Sequence, residues 1–320
     1  MTDIIKKVPL PTAGVALGLA SLGILLQPYS EVLHFTAGGL SLLMVLILAA
    51  KIIGYTQLVK EDLKNPIFAG AFATLFMTVM QLATYLVPLS FVAAFVIWCT
   101  AVFAHFSFIA WFTATFMVKF NIKQVFPTHF IAYVGIVVAS LTSPVFGLGV
   151  LGMGIFWFGS VCFVALLVMM IYRYVKHEVP ESAKPLFCIF AAPMSLSLAA
   201  YLMVSPEPLL PVVITLTALA QICLIVVLSQ LPKMLRLKFY PSYAAMTFPF
   251  VVCAIALAKA TAFFAALGAS EIVLMVLGVL VVVQTVFAAI MVMYVFARYF
   301  SYFFSGVARK QPQASVSQTN

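Results

Sequence analysis

The sequence predicts an all-α integral membrane protein of ten transmembrane helices, built as five repeated helical hairpins. Three observations carry this prediction. Composition is the first: 65% of the 320 residues are hydrophobic and 8% are charged, against about 25% charged in a soluble domain. The second is a repeat. Pro11, Pro66, Pro127, Pro185 and Pro241 each stand between a basic or polar stretch and a long apolar run, at intervals of 55, 61, 58 and 56 residues. Such an interval holds two crossings of about 20 residues with their loops. The third is the placement of charge, which alternates with the crossings.

In chain order the apolar stretches are 10–27, 32–54, 67–87, 89–118, 128–143, 145–172, 186–204, 209–231, 242–267 and 272–304; the longer ones can tilt. A proline in the first turn of a helix sacrifices no intrahelical hydrogen bond, and its fixed φ suits a helix start. The five prolines therefore mark the odd-numbered crossings. Lys6, Lys7, Lys60, Lys64, Lys119, Lys123, Arg173, Lys176, Lys184, Lys233, Arg236, Lys238, Arg309 and Lys310 fall before odd crossings or after the tenth. The opposite loops carry no Lys or Arg, but do carry Glu31, Glu207 and Glu271. This is the positive-inside distribution, and it puts both termini on the cytoplasmic side of a cell (inner or plasma) membrane. The net charge of +9 is thereby read as topology, with no nucleic-acid partner. The basic N-terminal segment has the outline of a signal peptide; as the start of the first hairpin it is expected to be retained.

Odd and even crossings differ in texture. The first carries Gly14, Gly18, Ala20 and Ser21, the third Gly70, Ala71, Ala73 and Thr74. The seventh carries Ala191, Ala192, Ser195 and Ser197, and the ninth Ala254, Ala256, Ala258 and Ala260. Small residues let helix backbones approach closely or leave room for a lumen. Even crossings hold runs such as 222–228 and 279–283, rich in Leu, Val and Ile, which suit lipid. The texture predicts an inner pore ring of odd helices inside an outer ring of even ones. Pro193 and Pro249 stand within the seventh and ninth crossings, where an internal proline kinks a helix and frees a carbonyl that must find protein or water.

The chemistry is defined partly by what is missing. No Asp or Glu stands mid-crossing, which argues against acidic rings for cations and against carboxylate proton relays. No phosphate-binding loop or nucleophile–base–acid set is present, so no enzyme, cofactor or metal site is expected. Five scattered cysteines read as core filler. Lys259 is the one formal charge well inside a crossing, and a functional residue by default; its bland alternative is snorkelling to the outer interface. Phe248 precedes it by eleven residues, close to three full turns, so Phe248, Val252, Ile255 and Lys259 share a face, with Lys259 about 16 Å beyond Phe248. If Lys259 faces a lumen so does Phe248, and a bulky ring in a narrow path is a hydrophobic constriction. His105 is expected to be a neutral, hydrogen-bonded histidine of an outer helix. Gln81, Gln221 and Gln284 suit bonds between helices.

The opening Pro9-Leu-Pro11-Thr12, followed by Gly14-Val-Ala-Leu-Gly18, resembles the first helix of the tellurite-resistance/dicarboxylate transporter family, which includes bacterial TehA and the plant guard-cell slow anion channels. Thr247-Phe248-Pro249-Phe250, with Lys259 eleven positions after the phenylalanine, resembles the ninth helix of that family. The resemblance implies a homotrimer in which each protomer has its own pore, lined by five inner helices and blocked at Phe248. Gly14, Gly18, Val252, Ile255, Pro193 and Pro249 then become lining or kink positions. The bacterial pattern has kink prolines on more inner helices; Ala16, Phe76 and Ala132 stand at those places here, and Phe76 could add a second ring.

The organisation expected is a cytoplasmic N-terminus over 1–8, a ten-helix transmembrane anion channel or transporter domain over 9–304 and a disordered cytoplasmic tail over 305–320. The function expected is a small-anion channel or facilitator, its partners a small anion, the lipid bilayer and further copies of the chain. The alternative is a proton-coupled exporter of C4-dicarboxylate, sulfite or tellurite-type oxyanions, with its proton site at His105, Lys259 or the substrate.

Overall fold

The computed structural model describes residues 2–118 and 120–304. Lys119, Arg309, Lys310 and the tail expected to be disordered lie outside the described residues. Within them all regular structure is helical. The helices are α1 (Thr2–Lys7), α2 (Thr12–Leu26), α3 (Glu31–Gly54), α4 (Thr56–Asp62), α5 (Pro66–Phe72), α6 (Thr74–Leu86) and α7 (Phe91–Phe112). There follow α8 (Thr128–Val134), α9 (Val137–Thr142), α10 (Gly149–Lys176), α11 (Ala192–Val204), α12 (Leu210–Leu235), α13 (Phe248–Ala266) and α14 (Glu271–Phe304). Two 3-10 segments, Glu181–Ala191 and Pro241–Met246, lead into α11 and α13.

Local chemistry sets the long helices. Ser30 and Ser90 cap α3 and α7, each hydroxyl accepting from the backbone N–H three residues on, which satisfies an otherwise orphaned donor. Glu31 and Glu271 open α3 and α14, while Arg173 and Lys176 close α10, in the sense the helix dipole favours. Among the described residues eight helical stretches are long and apolar enough to cross a membrane, and the bent pair α8–α9 counts as a ninth. Helix α2 has 15 residues, or about 22 Å, short of a hydrocarbon core about 30 Å thick.

Burial divides these stretches into two sets. Of the apolar windows, 56% is buried in 66–86, 72% in 181–204 and 61% in 241–266, against 33%, 39%, 33%, 22% and 17% for α3, α7 with its continuation, α10, α12 and α14. Almost every residue of α2 is buried as well. The buried elements close on themselves: α2 packs on α6, α6 on α9, α9 on α11, α11 on α13, and α13 on α2. The other five lie outside them, α3 on α2, α7 on α6, α10 on α9, α12 on α11 and α14 on α13.

Four of the five buried elements are interrupted. An α-helix restarts at Thr74, Val137, Ala192 and Phe248, seven to ten residues beyond Pro66, Pro127, Pro185 and Pro241. Pro193 and Pro249 stand in the first turns of the new helices α11 and α13, where their missing N–H has no partner to lose. The interruptions at Ala73 and Gly135 occur without a proline.

One charge is enclosed where α1 meets the body. Lys51, in the last turn of α3 and fully buried, donates from Nζ to the Val8 carbonyl at 2.6 Å and to Asp62 Oδ2 at 2.8 Å. This fastens the start of α2 to the α3–α4 corner.

Candidate functional site

A cavity of about 60 Å³ lies among the five buried elements, and every one of them contributes to its wall. Water needs roughly 10–15 Å³ by this measure, so the space admits several molecules. Gly14 and Leu17 come from α2, Ala71, Thr74 and Met77 from α5–α6, and Thr128, Ile131 and Gly135 from α8 and its end. Leu186, Pro193 and Leu196 come from the 181–204 element, and Ser242, Phe248 and Pro249 from the 241–266 element. No Asp, Glu, Lys, Arg or His stands in this wall. Its polarity comes from three hydroxyls and from the backbone.

The interruptions bring helix starts to the wall. Thr74, Ala192 and Phe248 open α6, α11 and α13 and all three line the cavity. These starts are tied to the segments before them: Ala192 N–H donates to Ile189 O, Phe76 N–H to Ala73 O and Phe250 N–H to Thr247 O, and Pro193 and Pro249 carry no N–H. The wall is neutral and mostly apolar.

Phe248 is buried at the start of α13, held by the residue before it. Thr247 leaves helical geometry at φ −110°, ψ −89°, and its Oγ1 donates within reach of Gly14 O (3.0 Å) and Ala244 O (2.7 Å). Gly18 makes the approach possible: a Cβ there would stand 2.5 Å from Thr247 Cβ and 3.3 Å from Phe248 N. Gly14 lines the cavity itself, and Gly18 seats the corner that carries the ring.

The remaining sequence-derived positions spread out. Pro193 and Pro249 line the cavity beside Phe248. Val252 and Ile255 are buried further along α13 and are absent from the wall, so the cavity lies on the N-terminal side of the Phe248 ring. Lys259, half-buried, has its Nζ 2.9 Å from Met203 Sδ on α11, with no carboxylate partner among the described residues. Phe76 is not in the wall; its ring packs on Phe72, Phe108 and His105 at 5.5–5.7 Å. His105 is fully buried and its Nε2 donates to Ala132 O at 3.0 Å, which leaves Nδ1 without a partner. It binds an outer helix to an inner one. Thr128 and Lys51 were not legible as special from sequence; Thr128 directly follows Pro127, and Lys51 stands at the far end of its apolar stretch.

A many-helix membrane protein whose buried helices frame a charge-free cavity has the construction of a membrane transport protein. The sequence pattern of the voltage-dependent anion channel (SLAC1) family matches residues 7–300, and the chain belongs to that family. The family consists of anion channels and transporters rather than enzymes. No curated protein matches the chain.

Proposed function

We propose that this protein is a passive small-anion channel or facilitator of the cytoplasmic membrane, gated by Phe248. On this reading α2 and the bent pair α8–α9 complete ten crossings in five hairpins, with both termini cytoplasmic, and three copies assemble with one pore each. The observation that carries it is the cavity: five buried elements frame it, it holds no formal charge, and three helices begin at its wall. An anion entering such a space meets hydroxyls and no carboxylate, whereas a cation meets no acidic group to replace its water. The Phe248 ring closes one end of that space. Lys259 lies further along the same helix and raises the local anion concentration at the outer mouth.

The test is flux. Phe248→Ala in liposomes is expected to raise anion permeation by at least about tenfold, since a hydrophobic constriction gates by excluding water and ions alike. Unchanged flux from a folded variant removes the gate. Uphill anion movement driven by an imposed pH gradient would replace the channel by a proton-coupled carrier.

A further inference from the structure

The Thr128 hydroxyl in the cavity wall has no hydrogen-bond partner, but a full charge without one is the stronger signal. Arg298, half-buried on α14, is such a charge. Its guanidinium carbon lies 5.9 Å from the centre of the Phe239 ring, 5.7 Å from that of Tyr243 and 5.9 Å from that of Tyr294. Ring faces attract the cation, but they offer no acceptor to the five N–H groups along its edge. Among the described residues it has no hydrogen bond and no carboxylate within ion-pair distance. Glu181, the acid of the adjoining segment, accepts instead from Tyr240 Oη at 2.7 Å. The rings themselves are fixed: Tyr243 Oη donates to Leu237 O at 2.7 Å, and Phe239 packs on Tyr243, Tyr299 and Tyr302 at 5.1–5.6 Å.

The length of α14 sets the depth of this cage. Arg298 follows Glu271, the first residue of the 34-residue helix, by 27 positions, or about 40 Å of rise. A hydrocarbon core is about 30 Å thick. With Glu271 at one interface, Arg298 therefore stands among the headgroups of the other, beside tyrosines that favour that level. The exposed Lys233, Arg236 and Lys238, at the end of α12 and in the loop that carries Phe239, belong to the same end. We propose that Arg298 is the phosphate-binding residue of a site for one anionic phospholipid. The rings hold the guanidinium by its faces, and its free edge takes two phosphate oxygens in parallel hydrogen bonds. The acyl chains lie toward Ile290 and Val283, which are exposed on the adjoining side of α14. The neighbouring basic residues favour a headgroup that is negative overall over one that carries its own cation. A carboxylate from a second copy is the rival partner, but the chain has eight acids in all. Of these, Glu31, Glu207 and Glu271 belong to the opposite loops, and Asp62 and Glu181 are engaged. The cage is no part of the cavity wall, so it governs lipid occupancy, leaves the selectivity of the pore alone and does not depend on what the protein transports.

Native mass spectrometry of the full chain in detergent, with phosphatidylglycerol titrated in, tests the site. One phosphatidylglycerol should be retained per copy, and Arg298→Ala should weaken its binding about thirtyfold, the worth of hydrogen bonds to a charged group. Arg298→Lys, which keeps the charge and loses the fork, should fall between. Arg236→Ala removes an exposed charge of the same end from outside the cage, and should cost no more than about fivefold. Equal losses from Arg236→Ala and Arg298→Ala would make the attraction diffuse and overturn the site. Phosphatidylcholine held as tightly as phosphatidylglycerol overturns the headgroup preference. Displacement of the lipid by millimolar inorganic phosphate overturns the lipid in favour of a free ion. A smaller assembly in Arg298→Ala, with the lipid count per copy unchanged, overturns it in favour of a second copy of the chain. If Arg298→Ala does not fold, Arg298→Gln, which drops the charge and keeps much of the reach, decides the case on the same lipid count.

Discussion

Helices α13 and α14 follow one another across a turn at Gly268, whose φ of 74° only glycine adopts freely. Both stretches are apolar enough to cross a membrane, with hydropathies of 1.9 and 2.7. Yet 61% of the first window is buried and 17% of the second. The more apolar stretch is the exposed one, and side-chain size separates the two as well. Helix α13 offers Cys253, Ala254, Ala256 and Ala260, and α2 and α11 close in on it; α14 offers Val279 through Val283, and much of that run faces outward. Lipid tails are as apolar as leucine, so large aliphatic side chains gain little by leaving them. Small ones gain contact by letting backbones approach. The inner set is thus held by fit and the outer set by solvent preference.

Glycines test that difference most severely. A Cβ on inner Gly70 would meet the Thr128 backbone at 2.7 Å, where no flexible end can yield, whereas one on outer Gly278 meets nothing within 4 Å. Gly70→Ala should lower stability by about 1–3 kcal/mol, as overpacking does. Gly278→Ala should be neutral or stabilise by up to about 1 kcal/mol through helix propensity. Thermal unfolding of the two variants in detergent measures the contrast. Equal losses would mean that the inner set is no tighter than the outer.

Charge offers a second contrast between the same two helices. Lys259 of α13 has a thioether and no carboxylate beside it. Arg298 of α14 is surrounded by the rings of Phe239, Tyr243 and Tyr294 at 5.7–5.9 Å. Lys259→Ala is expected to lower anion-over-cation permeability by roughly an order of magnitude at low salt, fading as salt screens the field. Arg298→Ala should leave the reversal potential where it was. A shift in both variants, or in neither, would detach Lys259 from the path and return it to snorkelling.

Much of this contrast was legible in the sequence, because membranes impose simple rules. Apolar length locates crossings, four of the leading prolines locate helix starts while Pro185 stands inside its 3-10 segment, and the small residues of 67–87, 186–204 and 242–267 coincide with the buried set. The interruptions at Ala73 and Gly135 were not legible, since neither residue breaks a helix by itself; packing on Thr128 and Met77 accompanies them. The 3-10 geometry of Glu181–Ala191 likewise leaves no mark in composition. At the site, Phe248 could be singled out by its spacing from Lys259. Thr128 could not, because what distinguishes it is a missing partner, and that depends on where four other elements lie. Lys51 escaped for a related reason: at the last turn of an apolar stretch a lysine reads as interfacial, and only the fold puts Asp62 and the Val8 carbonyl around it.

The smallest effect belongs to the outer set alone. Gln284 on α14 donates from Nε2 to Gln221 Oε1 on α12 at 2.6 Å, while Gln221 Nε2 and Gln284 Oε1 have no partner. Amides between membrane helices invite a large estimate, since hydrocarbon offers them no water. Such bonds average only about 0.6 kcal/mol, because the same amides find partners when the helices separate. The two unpartnered atoms reduce the gain further. Gln284→Leu should therefore cost about 0.6 kcal/mol, and Gln221→Leu with Gln284→Leu should recover most of it, which a double-mutant cycle on unfolding resolves. A coupling above about 2 kcal/mol would mean that α12 and α14 are locked to each other as specifically as the inner helices are. Solvent preference would then no longer account for the outer set, and the division by side-chain size would describe where helices lie without explaining what keeps them there.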